Sequence, residues 1–206
     1  MQQVPAGTDP FAPENILVLA TGVMTGAPLP AACRFAAVGK SPLTGTAGES
    51  EAAGFFGPEL KMAGFDAVVF QGRSERPVYL WVNGGRAEIK DAAHISDLGA
   101  REMEDAMRDE MGSAKIRVAQ TGLAGMNRVR FANITNNLGH FNGRGGHKRR
   151  RRLAAHLFFD VEGVPFAFEN QLVYRAETFR YRYVSVFKGD ALFIAFSHGG
   201  QDFLDG

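Results

Sequence analysis

The sequence predicts an α+β fold rather than a doubly wound sheet, because strand signals outnumber helix signals and the two do not alternate. Six short apolar or alternating runs are each bounded by Gly, Pro or Asn. An Asn-Gly-Gly segment joins two of these runs, and only two stretches carry helix signals.

The first strand is expected at ILVLA (16–20) and the second at RFAAV (34–38), both short apolar runs between turn-forming segments. A short helix follows over about 58–63, with Pro58 in its first turn and Gly64 at its end. AVVF (67–70) is the third strand. VYLWV (78–82) and AEIK (87–90) flank Asn83-Gly84-Gly85, and Asn-Gly tolerates the positive φ of a tight hairpin turn. The better helix spans about 100–111: Ser96 or Asp97 can cap it, and Gly112 stops it. Met103, Ala106, Met107 and Met111 recur on one face, a stripe that reads as core packing rather than a cofactor surface. IRVAQ (116–120) is a further strand. Near the C-terminus, FRYRYVSVF (179–187) and ALFIAF (191–196) read as strands joined by a turn at Lys188-Gly189-Asp190. A lone hairpin of this kind is marginal without a partner surface.

The 206 residues suffice for one ordinary domain and are too few for three. Composition changes at His147: residues 1–146 hold 20 of the 25 glycines, and residues 147–206 hold 9 of the 17 phenylalanines. The change coincides with HKRRRR (147–152), read as a solvated run or linker, so the domain boundary is placed there. No repeat of fixed period is present. A net charge of +1 makes no global case for nucleic acid or an anionic membrane as partner. No apolar run approaches a membrane span, and MQQVPAGTDPF lacks the pattern of a signal peptide, so a soluble cytoplasmic protein is expected. Cys33 is the sole cysteine, which excludes an intramolecular disulfide and any cluster that needs several thiolates from this chain.

Three Gly-rich segments, 20–26, 122–125 and 142–146, could bring backbone N–H groups close to an anion, with Arg34 or Arg144 gripping phosphate. None has the Gly-Lys-Ser/Thr ending of a Walker loop or the G-x-G-x-x-G of a dinucleotide fold, and each alone reads as a plain turn. The five histidines, His94, His140, His147, His156 and His198, show no metal-ligand spacing. Cys33 beside Arg34 reads as a small buried hydrophobe before it reads as an activated thiolate.

Taken in order, the blocks carry more than any one of them. Ala12-Pro13-Glu14-Asn15, Ala20-Thr21-Gly22, Arg34-Phe35, Lys40-Ser41-Pro42-Leu43-Thr44-Gly45 and Gly54-Phe55-Phe56-Gly57-Pro58-Glu59-Leu60-Lys61 lead to Ala63-Gly64-Phe65-Asp66. Pro77-Val78-Tyr79-Leu80-Trp81, Gly122 with Ala124-Gly125, Val129-Arg130-Phe131-Ala132 and Asn142-Gly143-Arg144-Gly145-Gly146 follow. This series resembles the N-terminal domain of the tungsten-containing aldehyde ferredoxin oxidoreductases over about residues 7–146. The resemblance implies paired mixed β-sheets with a few helices, cradling two pterins that hold tungsten or molybdenum. It also implies oxidation of aldehydes to carboxylic acids, with electrons leaving through a [4Fe-4S] cluster to ferredoxin.

Carried over by position, the family's pterin-contacting arginine falls on Arg34. Its Asn-Ser-Gly-Gly turn falls on Glu51-Ala52-Ala53-Gly54, where the first residue directs a backbone carbonyl at the Mg2+ bridging the two pterin phosphates. The residue at Ala53 replaces a glycine and therefore requires a negative φ. In the last block an arginine contact becomes His140, a carbonyl contact becomes Phe141, and Arg144 keeps its place. Cofactor-binding residues are thus expected at Arg34, Glu51, Ala53, Gly54, His140, Phe141 and Arg144, with no catalytic side chain. Relatives begin several tens of residues before Met1 and continue past Gly146 into helical domains that bear the cluster cysteines. This implies a truncated or frame-disrupted relative, or one subunit of a split enzyme completed by another chain or as a homodimer. The alternative functions are a non-catalytic pterin or phosphate binding module and an inactive fragment.

Overall fold

The predicted strands pair into two sheets. The computed structural model describes residues 4–143 with their side chains, and the backbone of residues 157–159, 183–186 and 194–195. Strands β1 (Leu17–Thr21), β2 (Phe35–Lys40) and β3 (Ala47–Ala52), then β4 (Ala67–Phe70) after helix α1 (Phe56–Met62), form the body of the first sheet. The second is built from β5 (Val78–Asn83), β6 (Arg86–Asp91), β7 (Arg117–Gln120), β8 (Ile134–Asn136) and β9 (His140–Asn142). Helix α2 (Ala100–Met111) separates β6 from β7, and the short α3 (Gly122–Met126) follows β7. From the later chain, β10 (Leu157–Phe159) enters the second sheet, while β11 (Tyr183–Val186) and β12 (Ile194–Ala195) extend the first.

The strand orders are β12-β11-β4-β1-β2-β3 and β6-β5-β10-β7-β8-β9. Both sheets are mixed, since β11 runs parallel to β4 and β10 parallel to β5 while the other pairings are antiparallel. The α+β architecture with paired mixed sheets is therefore as expected. The Asn83-Gly84-Gly85 turn closes the β5–β6 hairpin, with Asn83 opposite Arg86 and positive φ at both glycines. Of the hairpin expected near the C-terminus, β11 and β12 pair antiparallel, and its turn at 188–190 lies outside the described residues.

Two apolar clusters explain the layering. Leu19, Phe35, Ala37, Val68 and Phe70 of the first sheet meet Leu80, Val82, Ala119 and Ile134 of the second, with Phe56 and Leu60 of α1 among them. On the opposite face of β5 and β7, Tyr79 and Val118 pack with Met103 and Met107 of α2, with Trp81 against their edge. Strand β5 is thus covered on both faces, which is why VYLWV is an unbroken apolar run rather than an alternating one. Tyr79 Oη donates to Glu110 Oε1 at 2.9 Å and His94 Nε2 lies 3.0 Å from Glu110 Oε2, which ties the end of α2 to the sheet. Burial, reinforced by that carboxylate, holds the Tyr79 phenol well above the usual tyrosine range.

Several local expectations need correction. Helix α2 is preceded by Gly99 in extended backbone and has no side-chain cap; Ser96 Oγ instead donates to the Ala93 carbonyl. Helix α1 begins two residues earlier than expected, at Phe56. The 122–125 segment is a short helix rather than a plain turn, with the Gly125 amide bonded to the Thr121 carbonyl. Among the described residues, no helix is long and apolar enough to cross a membrane.

The Met stripe of α2 gives a direct test of the layering. Met103 is fully buried, so Met103→Ala should cost about 2–5 kcal/mol in urea denaturation, whereas Met103→Leu should cost less than about 1.5 kcal/mol.

Candidate functional site

The first half of the site is built around Arg34, just before β2. Its backbone is pinned: Thr25 Oγ1 donates to the Arg34 carbonyl at 2.9 Å and itself accepts from Gly22 N–H at 2.9 Å. From the other side α1 comes so close that a Cβ on Gly57 would lie 3.2 Å from the Cys33 carbonyl oxygen and 3.3 Å from that of Arg34. The next ring, Phe35, is buried against Phe56 with centroids 4.8 Å apart. Held this way, Arg34 sends its guanidinium outward, where Nη1 donates to Glu51 Oε2 at 3.3 Å across the β2–β3 pair. Both side chains are more than half exposed, at 60% and 53%, so the pair contributes about 0–1 kcal/mol and leaves the guanidinium exchangeable. It borders a cavity of about 460 Å³ whose lining includes Thr21, Gly22, Met24, Ala32, Arg34 and Glu51. The Gly-rich 20–26 segment and Arg34, singled out separately in the sequence, thus share one site.

The second half lies where the edge strands β3 and β9 meet. Asn142 Nδ2 donates to the Ser50 carbonyl at 3.1 Å. Asn136 Nδ2 donates to the Ala53 carbonyl at 3.1 Å and to the His140 carbonyl at 3.4 Å. Phe55 N–H donates to Asn137 Oδ1 at 3.3 Å. These bonds bracket Glu51 to Gly54 on one strand against His140 and Phe141 on the other. Five of the seven expected residues therefore lie along one seam, Arg34 joins it through Glu51, and Arg144 lies outside the described residues. His140 and Phe141 are exposed there, and Asn142 is buried.

Backbone geometry answers the requirement placed on the 51–54 turn. Ala53 has no positive φ, as a replacement for glycine demands, whereas Gly54 sits at +107°. A Cβ on Gly54 would lie 2.2 Å from Asn136 Oδ1 and 2.9 Å from His140 Cδ2, so no side chain fits between them. Thr135 Oγ1, Asn136 Oδ1 and Asn142 Oδ1 are buried without a hydrogen-bond partner among the described residues. Buried polar groups of this kind are normally satisfied, so these three atoms mark strain in the short β8–β9 hairpin.

Arg117 closes the corner, with its guanidinium 4.7 Å from the centre of the Phe55 ring. Burial pushes the Glu59 carboxyl on α1 upward, and the Arg117 charge pulls it the other way. Of the other candidates, Cys33 is half-buried and His94 belongs to the α2 contact. His147, His156 and His198 lie outside the described residues. Among the described residues no group of three His, Cys, Asp or Glu could hold a metal ion. What the seam does offer is a guanidinium, an imidazole and backbone carbonyls, a set suited to a polyanion with its counter-cation. Sequence reasoning missed Thr25, Asn136 and Asn142; the available signal was asparagine inside strands, where it is depleted unless its amide has a specific partner.

Two variants and a control test this seam by urea denaturation. Gly54→Ala should destabilise by about 1–3 kcal/mol through φ and collision, and Asn136→Ala by about 1–3 kcal/mol through the orphaned carbonyls. Ala53→Gly should cost less than about 1 kcal/mol.

Comparisons with known proteins bear on the family and the fold. Residues 1–148 match the family described as aldehyde ferredoxin oxidoreductase, N-terminal domain. The chain is 42% identical over 146 residues to the tungsten-containing aldehyde ferredoxin oxidoreductase of Pyrococcus furiosus, covering 71% of this chain and 24% of that one. It is 40% identical over 146 residues to the Pyrococcus abyssi protein of the same name, with the same coverage of 71% and 24%. The chain thus spans about a quarter of the length of these curated relatives. Among solved structures, it resembles the active site complex BamBC of benzoyl coenzyme A reductase, with a TM-score of 0.71 and 35% identity, over 77% of this chain and 24% of that one. The ordered blocks, the paired sheets and these matches lead to one assignment: the chain belongs to the aldehyde ferredoxin oxidoreductase family, whose N-terminal domain it carries.

Proposed function

We propose that residues 1–146 hold a tungsten or molybdenum bis-pterin cofactor with its bridging Mg2+ at the β3–β9 seam. In this reading the domain serves an oxidoreductase that converts aldehydes to carboxylic acids and passes electrons to ferredoxin. The observation that carries it is the pair of asparagine amides that bracket Glu51 and Phe141 beside the Arg34 cavity. The name tungsten-containing, borne by the curated relatives, supports the choice of metal.

Each residue has a role that its position supports. Arg34 would bind phosphate oxygens by exchanging its exposed partner Glu51 for a more highly charged anion. The backbone carbonyls of Glu51 and Phe141 would supply hard oxygen ligands to Mg2+. His140 would add a donor on the pterin side, the missing side chain of Gly54 lets Asn136 and His140 close on the turn, and Arg144 would add a second guanidinium. Ala53 would keep the turn in shape through its bond to Asn136. When bound, the metal and its pterins supply the two-electron oxidation, and the protein supplies placement and charge compensation.

Cys33 is the chain's sole cysteine, and a [4Fe-4S] cluster needs about four thiolates. The cluster ligands and the ferredoxin contact would therefore come from protein outside these 206 residues, in a soluble cytoplasmic assembly. The same observation favours a second reading, a pterin or phosphate binding module without catalysis of its own.

Metal and pterin analysis of the chain, purified anaerobically from a host that makes this cofactor, tests the proposal. Two pterins per tungsten or molybdenum are expected, and Arg34→Ala should weaken retention about tenfold or more, the scale of a charge-assisted contact. A folded chain that carries neither pterin nor metal would overturn the reading. Redox activity of that loaded chain with an aldehyde would exclude the non-catalytic module.

A further inference from the structure

Glu51 is the one carboxylate within hydrogen-bonding reach of Arg34 among the described residues, and it lines the same cavity. Strand β3 alternates Ser50 and Ala52 inward with Glu49 and Glu51 outward, so the pleat itself aims this carboxylate at the guanidinium. Across the ladder from Glu51 stands Ala36, which fills little of the space around the pair. The Arg34 side chain has no other hydrogen-bond acceptor among the described residues. An incoming anion therefore meets a neutral pair rather than a free positive charge, and its oxygens must take the place of the Glu51 carboxylate.

We propose that the Glu51 side chain is an internal competitor for Arg34 that sets the affinity of this cavity for diphosphate-like anions. The inference rests on the anion-binding reading of the site and adds to it a residue that opposes binding. Two oppositely charged groups at this distance near the surface change an affinity by about fivefold. Removing the carboxylate charge while keeping its shape should then strengthen anion binding, an effect that shrinks as salt screens the pair.

The test is calorimetric titration of the full 206-residue chain with inorganic diphosphate in a chelator-containing, low-salt buffer. Circular dichroism melts establish that each variant is folded. Glu51→Gln and, as a second variant, Glu51→Ala should each bind about fivefold tighter than the unmodified chain. In the Arg34→Ala background the gain should largely vanish, because no guanidinium remains to be released. An equal gain in both backgrounds would assign the effect to repulsion at a distance and overturn competition. Unchanged or weaker binding by both folded Glu51 variants, with Arg34→Ala still impaired, would sink this inference and leave the anion site standing. Diphosphate binding that is absent throughout, or insensitive to Arg34→Ala, would remove both.

Discussion

The side-chain amide of Asn136 is the contact on which the site depends. One NH2 group reaches the carbonyl of Ala53 on the far side of the seam and that of His140 on its own hairpin. Away from this seam the two sheets meet largely through apolar side chains, which set distance but not register. Apolar packing is non-directional, whereas a buried amide with two acceptors fixes which residues face each other. Asn142 repeats the device three residues further, at Ser50. Removing either amide strands carbonyls that have lost water and gained nothing, which is where the cost of such networks concentrates.

Arg34 and Glu51 stand in contrast to this rigidity. Everything behind Arg34 is fixed, by Thr25, by the close approach of Gly57 and by the Phe35–Phe56 contact. Its charged end is left in solvent with a partner that contributes little to stability. A pinned backbone with an exchangeable head group is the arrangement expected of a ligand contact, since only the head group must reorganise when an anion arrives. The same pair in a buried setting would be locked by the cost of separating the charges.

Legibility in the sequence followed apolar content. Strands β1, β4, β5 and β7 were marked by runs such as ILVLA, AVVF, VYLWV and IRVAQ, and α2 by its methionines, because burial leaves a periodic pattern. Strand β3 reads AGESEA, without one β-branched or aromatic residue, since it is an edge whose inward positions accept only Ser50 and Ala52. Strands β8 and β9 are three residues each and carry their information in asparagines that composition treats as turn formers. Much of the site therefore fell on elements that pattern reading could not see. Arg34 stood out beside the Gly-rich loops, Glu51, Ala53, Gly54 and Phe141 became visible only through ordered resemblance, and the role of Asn136 and Asn142 in holding them did not.

That distribution explains which positions of the site can drift. In the proposed cofactor site a ligating carbonyl would belong to the backbone, so the side chains of Glu51 and Phe141 could differ from those the resemblance implies without moving the oxygen. The side chain at such a position is then free to alter local charge, as the contact between Glu51 and Arg34 does. Gly54 has no such freedom, because its φ of +107° and the Asn136 oxygen within 2.2 Å of a would-be Cβ act together. Ala53 beside it does, since its backbone is ordinary and its role is a carbonyl. Constraint in this domain thus falls on the residues that shape the seam, while the charges along its rim remain adjustable.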